Sequence, residues 1–412
     1  MKLNYKYWLN ISIFNLLIIA VLGVIMRYKI GYEFPYFDQK SLQHAHSHFA
    51  FVGWLAHTLY VLMIWVIQQD KPLLAIGKYK KLLIANLICA YGMLISFSCT
   101  GYSWISIVIS TCSILVSYLV AYNLFKDLKS LVNVPYKNWF KAALWFNIVS
   151  SLGTFTLAYH IARHIFNQKV HLASLYYYLH FQYNGFFTFA CLGLFISQLP
   201  KLLPAFRYSE RIFTWFAISC VFSYLLSILW LHLPLWLLLV VVAAALLQAS
   251  AWIFFLLRIK TSLGSATDLF KKGRLFFLLV ALALSVKFTL QLGSTIPAVS
   301  QLAFGFRPIV IAYLHLILLA IISVFLVSYL HVMKIIHINK LSTSGILVFI
   351  AGVYLNELIL GIQGIASFSY TSIPYGNLAL LAASLVILIS LVMLLLSQRR
   401  SHTVQVPDVD VK

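Results

Sequence analysis

The sequence predicts an all-α polytopic membrane protein with twelve transmembrane helices. Of its 412 residues, 62% are hydrophobic and only 9% are charged, and the mean hydropathy is +0.93. A soluble domain carries about 25% charged residues. The hydrophobic residues fall in runs of about 20 residues, the length that crosses the hydrocarbon core of a bilayer as a helix. These observations exclude a soluble, a disordered or a disulfide-stabilised protein.

Twelve apolar runs of this length follow one another with short connections. The first run, from Trp8 to Met26, lacks a small-residue cleavage site after it, so we interpret it as a transmembrane helix and not as a signal peptide. The predicted spans are 7–27, 44–68, 79–99, 102–125, 139–161, 172–198, 209–231, 233–257, 273–292, 308–333, 343–365 and 374–397.

Lysine and arginine predict the orientation of these spans. The N-terminus, the connections from even to odd spans and the C-terminal tail carry 23 of the 30 basic residues, and the opposite connections carry six. Basic residues favour the cytoplasmic side. We therefore predict a multi-pass protein of the plasma (inner) membrane with both termini in the cytoplasm. The same rule explains the net charge of +21, so we predict no nucleic acid as a partner. The predicted partner is the lipid bilayer.

Histidine is concentrated towards the predicted outer side. A titratable ring inside a membrane must be paired, bound to a metal or next to water. Because imidazole is a common ligand of metals and haem iron, a layer of histidines at one depth predicts a cofactor plane. Hydrogen bonds between helices are the simpler alternative. The nine histidines of this layer are His44, His46, His48, His160, His164, His171, His180, His232 and His315.

Three of these histidines mark an internal repeat. His48, His180 and His315 lie early in spans 2, 6 and 10, at intervals of 132 and 135 residues. The first two share the pattern His-Phe-x-x-x-Gly-aromatic, and Ala320 replaces the glycine in the third. Parallel repeats arrange around an axis normal to the membrane. We therefore expect three pseudo-threefold arcs of four helices with inward histidines: 1–130, 131–262 and 263–397, with a cytoplasmic tail at 398–412.

This pattern resembles subunit I of the haem–copper oxidase superfamily, which includes the large subunit of nitric oxide reductase. The stretch His44-Ala-His46-Ser-His48-Phe-Ala-Phe-Val-Gly53-Trp54 is similar to the family motif in which a histidine of helix 2 binds a low-spin haem. The resemblance implies a low-spin haem b held by His48 and His315, with His46 as the competing ligand. It also implies that His180 is a copper ligand, and that the function is electron transfer or dioxygen or nitric oxide chemistry.

The sequence departs from the family at the second metal centre. Tyr313 stands where the family has the ligand of the high-spin haem, and span 7 lacks the His-His pair that completes the copper site. The candidates for a rebuilt centre with copper or a second haem are His160 and His164, which we place on one helical face, and Tyr313. The missing pair also favours a haem protein without a complete reduction centre, as in the NnrS family.

Two charged residues within the spans are further candidates, because ionisable groups in a membrane commonly serve function. Lys287 is placed to meet a haem propionate, and Glu357 is a candidate proton relay. Electrons would come from a quinol or from a separate donor protein, and whether the chain is an oxidoreductase stays open. The alternative functions are a copper or haem transporter or chaperone, and a non-catalytic membrane subunit.

Overall fold

The computed structural model describes residues 3–231 and 233–399, without the side chains of residues 302 and 303. His232 and the tail from residue 400 lie outside the described residues. Twelve helices in the described part are long and apolar enough to span a membrane, which confirms the predicted fold class. They are α1 Tyr5–Gly31, α2 Gln39–Asp70, α3 Ile76–Thr100, α4 Trp104–Lys129, α5 Lys137–Ala162, α6 Gln168–Leu202, α7 Glu210–Ile228, α8 Leu235–Ser265, α9 Asp268–Gly293, α10 Arg307–Val332, α11 Lys340–Phe368 and α12 Gly376–Arg399.

Several helices begin before the apolar run that predicts them. The side chain of Asp38 accepts a hydrogen bond from Ser41 N at 2.8 Å, and that of Asn167 accepts one from Val170 N at 3.2 Å. These caps satisfy free N–H groups of the first turn, so α2 and α6 begin four to five residues earlier than hydropathy indicates. A short helix that the sequence analysis did not predict, Pro297–Gly305, precedes α10.

Neighbouring helices contact one another in chain order, and α12 contacts α1, so the bundle closes on itself. In addition, α2, α6 and α10 contact each other. The Phe51 ring meets the Phe187 ring edge to face at 5.4 Å, and Trp54 Nε1 donates a hydrogen bond to Ser323 Oγ at 2.9 Å. The three helices that carry the repeated histidines therefore pack against one another.

Each of these three helices contains a π-helical segment that begins within two residues after its repeated histidine. π-helical segments are uncommon in proteins, and those that occur often lie at functional sites. Their common position supports the sequence repeat with an observation that does not depend on residue type. The segments are Ala50–Ala56 in α2, Phe181–Phe187 in α6 and Leu316–Ser323 in α10.

Two asparagines from neighbouring helices bind carbonyl groups of the π segment in α2. Asn86 of α3 donates from Nδ2 to Val52 O at 3.2 Å, and Asn15 of α1 donates to Gly53 O at 2.6 Å. The Oδ1 atom of Asn15 in turn accepts a hydrogen bond from the Tyr91 hydroxyl at 2.6 Å. The irregular backbone is therefore tied to both flanking helices by side-chain hydrogen bonds.

We expect Asn15→Leu to lower the stability of the protein by about 1–3 kcal/mol, because it leaves Gly53 O and the Tyr91 hydroxyl without their partner. Thermal unfolding in detergent measures the effect. Asn123→Leu is the matched control, because Asn123 is only partly buried and bonds only to Leu119 O of its own helix. Equal losses in the two variants would contradict this role of Asn15.

Candidate functional site

Four titratable side chains from four helices lie near one another between α1, α2, α10 and α11. His46 of α2 lies within electrostatic range of His315 of α10. Arg27 of α1 lies within electrostatic range of both histidines and of Glu357 of α11. We call Arg27, His46, His315 and Glu357 the histidine-pair site. It unites three predicted site residues with an arginine that the sequence analysis did not single out.

The ring of His315 is oriented by its own helix. Its Nδ1 atom donates a hydrogen bond to Ile311 O at 2.9 Å. A carbonyl can only accept, so Nδ1 carries the proton and Nε2 carries the lone pair. No side chain or backbone group of the described residues forms a hydrogen bond with Nε2. A backbone hydrogen bond of this kind is the usual way in which proteins orient a histidine that binds a metal.

His46 also has an unpartnered ring nitrogen. Its Nδ1 atom is buried and has no hydrogen-bond partner among the described residues. The ring lies against α1 at Gly23, where an added Cβ would be 3.8 Å from His46 Cε1. Buried polar atoms are almost always paired in proteins. The unpartnered nitrogen of His46 is therefore available to a ligand, and Gly23 places no side chain against its ring.

His48, the first-choice ligand in the sequence analysis, turns away from α10. Its ring stacks on that of Phe97 of α3, with centroids 4.4 Å apart and an angle of 11°. The centroid of the Tyr102 ring lies 6.4 Å from that of His48, with the two rings nearly perpendicular. Residues two apart on a helix point about 200° apart, so only one of His46 and His48 can face α10. The competing candidate, His46, is the one that lies within electrostatic range of His315.

His180 is a hydrogen-bonded core residue. Its Nε2 atom donates to Cys220 O at 2.8 Å, and its Nδ1 atom accepts from Asn184 Nδ2 at 3.1 Å. Both ring nitrogens are thus occupied, as in the simpler alternative that the sequence analysis considered. No group of three or more histidine, cysteine, aspartate or glutamate residues in the described ranges is placed to hold a metal ion. The geometry therefore does not assemble the copper site of the family around His180.

His160 and His164 do not share a helical face, and this prediction is wrong. Helix α5 ends at Ala162, and His164 has a φ of +55°. Ile165 N bonds to His160 O at 2.9 Å, which closes the turn that ends many helices with one left-handed residue. His164 is exposed in this turn. The ring of His160 instead lies 6.0 Å from that of His171 on α6.

Lys287 and Tyr313 lie towards α6 and α7. Lys287 is 1% exposed, and its Nζ atom is 4.5 Å from the centre of the Phe288 ring. It interacts electrostatically with Cys220 and His180, and it takes part in none of the ion pairs of the described residues. The Tyr313 ring lies 6.5 Å from that of Tyr183. The described contacts join neither residue to the histidine-pair site.

Glu357 lies inside the histidine-pair site. Its Oε1 atom accepts a hydrogen bond from Asn356 Nδ2 at 3.2 Å, and it interacts with Arg27. The spacing of Gly23 and Arg27 could have identified Arg27 as a site residue from the sequence. They are four residues apart, so they share one face of α1 near the end of the span.

No protein-family model matches the chain, and no curated protein matches it either. The histidine-pair site and the three helices with π segments are therefore the features of the molecule that bear on its function.

Proposed function

We propose that the chain is an integral membrane haem protein in which His46 and His315 hold a b-type haem. The supporting observation is the pair itself: two imidazoles from α2 and α10 lie within electrostatic range of each other, and each has a ring nitrogen without a hydrogen-bond partner among the described residues. Imidazole pairs of this kind are suited to haem iron. When bound, the haem would supply an iron that takes up and returns one electron.

The other residues of the site have roles that suit such a group. The hydrogen bond from His315 to Ile311 O fixes the orientation of its ring. Gly23 places no side chain against the His46 ring, as a flat macrocycle at this position would require. The guanidinium of Arg27 is suited to a haem propionate, because it can bind a carboxylate with two hydrogen bonds. Glu357, which interacts with Arg27, can balance its charge or hold a proton at its carboxylate.

Electron transfer is the role that we favour over complete reduction of dioxygen or nitric oxide. The resemblance to the haem–copper oxidases suggests either role. His180, however, has both nitrogens hydrogen-bonded, whereas a copper ligand would need one of them for the metal. We propose a membrane quinol or a separate donor protein as the source of electrons.

The test is the visible spectrum of the protein purified in detergent after expression with an adequate supply of haem. We expect reduced-minus-oxidised bands of a low-spin b haem, with a stoichiometry measured as the pyridine haemochrome. His46→Ala and His315→Ala should each lose these bands, because each removes one ligand of the proposed pair. His48→Ala is the matched control on the same helix and should keep them, since its ring stacks on Phe97.

Two outcomes would contradict the proposal in different ways. If His48→Ala loses the haem and His46→Ala keeps it, His48 and not His46 is the haem ligand. A wild-type protein without haem would exclude the haem function, and transport of copper or haem or a non-catalytic role would replace it.

A further inference from the structure

We propose that His160 and His171 form a site for a divalent transition-metal ion at the turn between α5 and α6. Their ring centroids are 6.0 Å apart with an interplanar angle of 78°. The Nδ1 atom of His160 and the Nε2 atom of His171 are both buried, and neither has a hydrogen-bond partner among the described residues. Two adjacent imidazoles are suited to share one metal ion when each has a buried nitrogen without a hydrogen-bond partner, as here among the described residues.

The two helices that carry the rings pack closely against each other. His171 N bonds to Asn167 O at 3.0 Å in the first turn of α6. Further along the helices, a Cβ added at Gly153 of α5 would lie 2.4 Å from Ser174 O of α6, so the two backbones are in direct contact there. A metal site needs ligands whose positions are fixed by such surroundings.

The donor set determines the class of metal. Neutral imidazole nitrogens bind Cu²⁺, Ni²⁺ and Zn²⁺, whereas Mg²⁺ and Ca²⁺ prefer carboxylate, carbonyl and water oxygens. The neighbouring charged side chains are Arg163, which lies over the Tyr159 ring at 5.8 Å, and Lys169, which is exposed. With two protein ligands and nearby positive charge, the site would bind an exchangeable ion, with water in the remaining positions. Cu²⁺ should bind most tightly, since it leads the affinity series of these ions.

The test is titration of the purified full-length protein with Cu²⁺, in a buffer that does not chelate metals and after removal of any polyhistidine tag. We expect electron paramagnetic resonance to show hyperfine coupling to imidazole nitrogen. His160→Ala and His171→Ala should each weaken binding by at least about tenfold. His164→Ala is the matched control, because His164 lies in the same turn but is exposed with a left-handed backbone.

The proposal is overturned if the wild type shows no nitrogen-coupled Cu²⁺ signal, or if the double variant of His160 and His171 keeps it. An equal loss in His164→Ala would also overturn it, since it would indicate general binding to surface histidines. Thermal unfolding of each variant distinguishes a lost ligand from a lost fold. The haem spectrum of the same samples reports on the histidine-pair site alone, so the two proposals can fail independently.

Discussion

Gly23→Leu is expected to abolish haem binding while the protein remains folded. An added Cβ at this position would be 3.8 Å from His46 Cε1, which is an ordinary contact. The remaining carbons of a leucine would occupy the space beside the imidazole that the proposed macrocycle needs. The measurement is the ratio of pyridine haemochrome to protein, with size-exclusion chromatography as the check on folding.

Two further variants make this prediction specific. Gly23→Ala should keep the haem, because its single added carbon is accommodated. Gly31→Leu introduces the same side chain into the same helix at a position with no atom within 4 Å of an added Cβ, and it should also keep the haem. Full haem content in Gly23→Leu would show that the macrocycle does not lie on this side of His46.

Lys287→Met is expected to stabilise the protein by about 2 kcal/mol. A lysine is costly inside a membrane protein unless it has a partner. Lys287 is 1% exposed and forms no ion pair among the described residues. Methionine has a similar length and no charge, so it fills the same space without this cost. Thermal unfolding of the haem-free protein in detergent measures the change.

Lys272→Met on the same helix is the control and should leave the unfolding temperature unchanged, because Lys272 is exposed. A destabilised Lys287→Met variant would instead indicate that Lys287 has an anionic partner. If the destabilisation occurred only in the haem-loaded protein, that partner would be a haem propionate, as the sequence analysis expects.

The sequence by itself determined the class of the protein and the number of its spans. Both follow from the free energy of transfer of apolar segments, which depends on composition and length and hardly on neighbours. It also singled out His46, His315 and Glu357, because ionisable side chains are rare in an apolar sequence. The repeat of three histidines was visible at this level, although the arcs and the orientation remain predictions.

Only the tertiary structure decided which histidine of α2 faces α10. The sequence motif favours His48 and leaves His46 as the alternative, whereas the choice depends on the rotation of α2 against its neighbours. Two further features depend on tertiary contacts or backbone conformation, which hydropathy does not reflect. They are the position of Arg27 near the two histidines and the end of α5 before His164. The π segments belong to the same group, because each is stabilised by hydrogen bonds and packing between helices. Residue periodicity within one helix carries no information about such contacts.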